Sequence, residues 1–80
     1  MIVKVLGPGC RNCQRLEERT REALGRLGLD ADVEKVTDYG EIAAYGVLRT
    51  PGLVVDEELV HSGSVPTTGH LVTLLAARPA

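Results

Sequence analysis

The chain has 80 residues, 9 basic and 11 acidic side chains, and a formal net charge of −2. A chain of this length buries only about 60 to 65% of its unfolded surface, so it is expected to form a single domain over residues 1–80, with one modest core and no large cofactor site. The charge balance argues against a general nucleic-acid binder, which needs a basic stripe to displace counterions, and with no Phe, no Trp and two Tyr the core must be aliphatic.

Met1-Ile2-Val3-Lys4-Val5-Leu6 is almost continuously apolar and β-branched, which suits a central strand covered on both faces. It breaks at Gly7, too early for a signal-peptide core or a membrane span, so a cytoplasmic protein without membrane attachment is expected. Lys4 is the odd member of the run, and it is read as snorkelling from a strand end or pairing with an acid. From Arg11, the positions Cys13, Leu16, Thr20, Ala23 or Leu24, and Leu27 recur at helical spacing and define an amphipathic helix. Glu17 to Arg21 and Glu22 to Arg26 support it as i, i+4 pairs, and Gly28 supplies a left-handed stop.

Leu29, Ala31 and Val33 alternate with acids, predicting an edge strand to about Val36. Asp38, with Glu41 three residues on, caps a short second helix that Gly46 ends. Two apolar runs, Gly52 to Val55 and Leu59 to His61, flank the acidic turn Asp56-Glu57-Glu58 as a hairpin. Val65-Pro66-Thr67 then opens a last helix with Leu71, Leu74 and Leu75 facing the core. The order is βαβαββα.

Cys10 and Cys13 are the only cysteines, placed where the first strand gives way to the first helix. Thiols three residues apart at a helix start lie on nearly the same side, so they can close a small disulfide ring or hold a soft metal ion. In a reducing cytosol such a pair is seldom a permanent staple, and a catalytic or metal-binding pair is the better expectation. His61 and His70 do not complete a zinc site, because His-x8-His misses the usual ligand spacing; no metal is expected. Gly7-Pro8-Gly9 lacks the Gly-Lys-Ser/Thr continuation of a phosphate loop.

The βαβαββα order, the segment Gly7-Pro8-Gly9-Cys10-Arg11-Asn12-Cys13 and the Thr50-Pro51 pair at the third strand together resemble the thioredoxin fold, in the form of the very small redox-active disulfide proteins. The resemblance covers the whole chain. It implies an α/β fold with a four-stranded mixed sheet flanked by three helices, and a thiol-disulfide oxidoreductase or electron carrier working without a cofactor. Its partners would be a protein disulfide and a thiol or reductase donor, and the protein would be a monomer with a part in cell redox homeostasis. It further implies Cys10 as the attacking thiolate, Cys13 as the resolving thiol, and a cis proline at Pro51, with the backbone of Thr50 pairing with an extended substrate segment. Arg11, between the cysteines where thioredoxins carry a neutral residue, is expected to lower the pKa of Cys10. Lys4 occupies the position of a buried acid that moves protons for the second cysteine of thioredoxins, which raises a proton-handling role beside the ion-pair reading.

Two other classes fit a Cys-x-x-Cys chain of this size. A copper or zinc carrier of the heavy-metal-associated type would have the order βαββαβ and a Met beside the motif. A noncatalytic thioredoxin-like binding module would not need both cysteines.

Overall fold

The computed structural model describes residues 1–9 and 11–77, so Cys10 lies outside the described residues. The element order is β1 (Ile2–Leu6), α1 (Arg11–Leu27), β2 (Asp32–Val36), α2 (Tyr39–Ala44), β3 (Gly52–Val55), β4 (Glu58–Ser62) and α3 (Thr68–Ala76). These elements form the expected minimal thioredoxin-like arrangement, with a four-stranded mixed sheet in the order β2-β1-β3-β4 and three helices. The order ends in a helix, unlike βαββαβ. β1 pairs parallel to β2 and antiparallel to β3, and β3 pairs antiparallel to β4.

Both central strands have a covered side on each face of the sheet, because side chains alternate along a strand. Val3, Val5, Leu53 and Val55 meet Leu16, Ala23 and Leu24 of α1 and Leu71 and Leu75 of α3 in the larger core cluster. Leu6 and Val54 face the other way, onto Ile42 of α2 and Val47. All four β3 residues are buried, and each fully buried Val or Leu contributes about 1.5 to 3 kcal/mol relative to an exposed one.

The local signals act as their chemistry dictates. Asp38 Oδ2 accepts from the Glu41 N–H at 2.9 Å, which satisfies one orphan amide of α2, and Thr67 does the same for His70 in α3 at 3.1 Å. The hairpin turn is tighter than the three acidic residues suggest. Val55 pairs with Glu58, leaving only Asp56 (φ 49°) and Glu57 (φ 69°) in a two-residue left-handed turn that matches strand twist. β2 starts at Asp32, later than the alternation from Leu29 implies, although Leu29 and Ala31 still pack against the larger cluster.

Candidate functional site

The site lies at the end of the sheet where β1 and β2 finish and β3 begins. Cys13, on the core-facing stripe of α1, is 6% exposed. Gly7 leaves β1 with its N–H donated to the Val36 carbonyl at 2.9 Å, which closes the strand end over β2. A Cβ built on Gly7 would overlap the Cys13 Sγ, and it would lie 3.3 Å from the Cys13 Cβ and 3.8 Å from the Thr50 Cβ. Glycine is therefore required here by the approach of the sulfur and not by backbone torsion. Cys13 and Thr50, distant in sequence, converge on one glycine.

The Thr50–Pro51 peptide bond is cis. Pro51 is fully buried while Thr50 is exposed, and the Pro51 carbonyl accepts from the Gly63 N–H at 3.0 Å, tying the loop after β4 to the same end of the sheet. Arg11 is the first residue of α1 and is exposed. The structure thus places Cys13, Thr50 and Pro51 together and Arg11 at the start of the helix that carries Cys13; Cys10, which precedes Arg11 in the chain, lies outside the described residues.

Beside Cys13 is a cavity of about 50 Å³ lined by Val5, Gly7, Gln14, Glu17 and Lys35 among others. Glu17 stands one turn after Cys13, with its carboxylate 3.0 Å from Lys35 Nζ on β2 and 3.0 Å from Arg21. The Lys35 hydrogen bond, opposed by partial burial and reinforced by Arg21, holds the Glu17 carboxyl below the usual range. Sequence reasoning saw Glu17 only as the partner of Arg21. Its i, i+4 spacing from Cys13 was the available signal for its place beside the sulfur.

Lys4 does not reach this cavity. Val5 faces it, so Lys4 faces the opposite side of the sheet. There Lys4 Nζ donates to Glu57 Oε1 and to the Tyr45 hydroxyl, both at 2.7 Å, and Tyr45 donates to Glu57 Oε2 at 2.8 Å. These partners raise the Lys4 pKa above the ordinary lysine range, with the Glu57 hydrogen bond the largest cause and the Tyr45 hydrogen bond next. Of the two readings of Lys4, the ion pair is the one observed. The triad lines an open cleft of about 430 Å³ with Val36, Glu41 and Ala44. His61 and His70 meet edge to face at 6.0 Å, and His61 Nε2 lies 2.9 Å from Ser64 Oγ.

A family model described as a thioredoxin domain matches residues 1–76. A thioredoxin of Methanothermobacter thermautotrophicus is 40% identical over 76 residues, covering 95% of this chain and 99% of the relative. A thioredoxin of Methanocaldococcus jannaschii is 37% identical over 67 residues, covering 84% of this chain and 77% of the relative.

Proposed function

The chain belongs to the thioredoxin domain family, a family of thiol-disulfide oxidoreductases, and from that premise we propose that it carries electrons to protein disulfides by cycling Cys10 and Cys13 between dithiol and disulfide. The observation that carries this reading is the seating of the Cys13 sulfur against Gly7, next to Thr50 at the cis Thr50–Pro51 bond. A sulfur held there is shielded from solvent yet adjoins an exposed backbone segment.

The unequal surroundings support unequal roles. α1 begins at Arg11, so the unpaired amides of its first turn and the positive end of its dipole stand next to Cys10 in the chain, and Arg11 adds a cation. These features favour a thiolate on Cys10. Cys13, buried in an apolar stripe, is suited to remain a neutral thiol until it resolves the intermediate.

In the reaction, the Cys10 thiolate attacks one sulfur of the partner disulfide, forms a mixed disulfide and releases one partner thiolate, which takes up a proton. Cys13 then gives up its proton and attacks the Cys10 sulfur, closing the Cys10–Cys13 disulfide and expelling the second partner thiolate. Two electrons and the Cys13 proton pass to the partner, whose second thiolate takes a proton from water, and a donor thiol or reductase restores the dithiol. Thr50 offers its backbone to an extended substrate segment by β-augmentation. The protein acts as a single-domain monomer in the cytoplasm, where the thiol pool keeps such a pair reducible.

Trapping tests the assignment. Cys13→Ser accumulates a mixed disulfide with a partner protein through Cys10, and Cys10→Ser accumulates none; trapping by Cys10→Ser alone reverses the roles.

A further inference from the structure

The two ends of the sheet differ in charge. The pairs Ile2–Asp32, Val3–Val55 and Val55–Glu58 mark one end, and Leu6–Val36, Leu6–Gly52 and Gly52–Ser62 mark the other. Asp30, Asp32, Asp56, Glu57 and Glu58 all belong to the first end, away from Cys13. At the second end the described residues of three segments converge, 7–9 with 11–12, 46–51 and 62–66. Gly7 meets Cys13 and Thr50, Gly63 bonds Pro51, and the Arg49 Cβ lies 3.6 Å from where a Gly63 side chain would begin.

These three segments contain Arg11 and Arg49, both exposed, and no acid, in a chain whose net charge is −2. The acids nearby are Asp38, which follows β2 and caps α2 with its charge retained, and Glu17 beside Cys13, whose charge is matched by Lys35 and Arg21. Leu48 adds an apolar element. It is 97% exposed while Val47 and Pro51 on either side are buried. A lone exposed leucine is ordinary on a protein surface. Leu48 is distinguished by its place, two residues before Thr50 on a rim whose three segments carry two exposed arginines and no acid.

We propose that this rim is a docking surface for an acidic partner, whose disulfide is carried on an extended segment with carboxylates flanking an apolar residue next to the cysteine. Arg11 and Arg49 attract the carboxylates, Leu48 covers the apolar residue, and the five acids at the far end turn the molecule so that the sulfur end leads. The inference rests on the redox reading of the site and adds the chemistry of the partner. Charges of one sign gathered at a site raise encounter rates with the opposite sign, and the effect fades as the Debye length shrinks with salt.

The test uses disulfide-bonded model peptides of equal length, with a leucine next to the cysteine and flanks of Glu, Gln or Lys, reduced in single turnover by the dithiol form of the full chain. The Glu peptide should react about tenfold faster than the Lys peptide at low salt, with the ratio falling toward one at high salt. Arg49→Glu should reverse the order of the Glu and Lys peptides, and Leu48→Ser should slow both. Equal rates for the three peptides with the wild type, or an order unchanged by Arg49→Glu, overturns the acidic-partner inference and leaves the redox reading standing. No reduction of any peptide overturns the redox reading, and the inference with it.

Discussion

The sulfur of Cys13 occupies the space in which a side chain on Gly7 would begin. This single contact joins the end of β1 to the second cysteine and fixes how far the sulfur is withdrawn beneath the loop. Gly7→Ala forces either the sulfur or the strand end to move, an overpacking that costs about 1 to 3 kcal/mol. The expected outcome is a melting temperature lowered by at least about 4 °C, together with faster alkylation of Cys13 in the reduced protein. Unchanged melting and unchanged Cys13 reactivity would show that the strand end yields freely.

Glu17 supplies a pH-dependent part of the stability. Its native pKa is depressed, first by Lys35, so its contribution is fully present above the unfolded value of about 4.3 and is lost as pH falls through the native value. Lys35 and Arg21 are both more than half exposed, which limits the pairs to roughly 0.5 to 1 kcal/mol in all. Glu17→Gln is expected to be less stable by that amount at neutral pH and equal to the wild type in acid below the depressed native Glu17 value. Denaturant titrations at the two pH values measure it, and a gap that persists in acid contradicts the ion-pair account.

Thr20 is fully buried on the core side of α1, and its hydroxyl has no hydrogen-bond partner among the described residues. Burying an unsatisfied hydroxyl is unfavourable, so Thr20→Val is expected to raise stability by about 1 kcal/mol, or roughly 4 to 8 °C in melting temperature. A loss of stability on this substitution would mean that the hydroxyl is satisfied in solution.

Much of this architecture was legible in the chain because its local signals agree with one another. The apolar runs at Ile2–Leu6 and Gly52–Val55 and the Asp38 and Thr67 caps each name one structure, and each forms within a residue or two of its expected place. What spacing could not show is how distant segments meet. Nothing around Gly7 says that Cys13 and Thr50 will close on it, nor that Glu17, paired with Arg21 along the helix, will also reach across to Lys35. The two readings of Lys4 were separated only by strand phase, because a one-residue offset decides whether a side chain faces the α1 side or the α2 side of the sheet. Leu48 was hidden for a related reason. Its apolar chemistry suggests burial, and only the course of the loop before Pro51 leaves it in solvent.

On the proposed redox reading, Arg11 stands between the cysteines where thioredoxins have a neutral residue. A cation there is expected to stabilise a Cys10 thiolate, and stabilising the reduced form makes the disulfide easier to reduce. The reduction potential is expected to lie above about −270 mV, toward the glutaredoxin range, and Arg11→Ala is expected to lower it. A potential below that value, or one insensitive to Arg11→Ala, contradicts this role.

Lys4 provides the converse case. Since it faces Tyr45 and Glu57 on the other side of the sheet, Lys4→Met is expected to leave the pH dependence of mixed-disulfide resolution unchanged. A shifted pH profile, measured by stopped-flow with the folded variant, would restore a proton-handling role.

On the proposed function, Cys10 and Cys13 form one reversible two-electron couple. Equilibration of the protein across glutathione buffers, followed by acid quenching, alkylation and intact mass measurement, tests it most directly. The expected result is a single transition from a monomer with no alkylated thiol to a monomer with both alkylated, following a two-electron Nernst curve. Separate one-thiol transitions with persistent glutathione adducts, or covalent dimers in place of an internal disulfide, would contradict it.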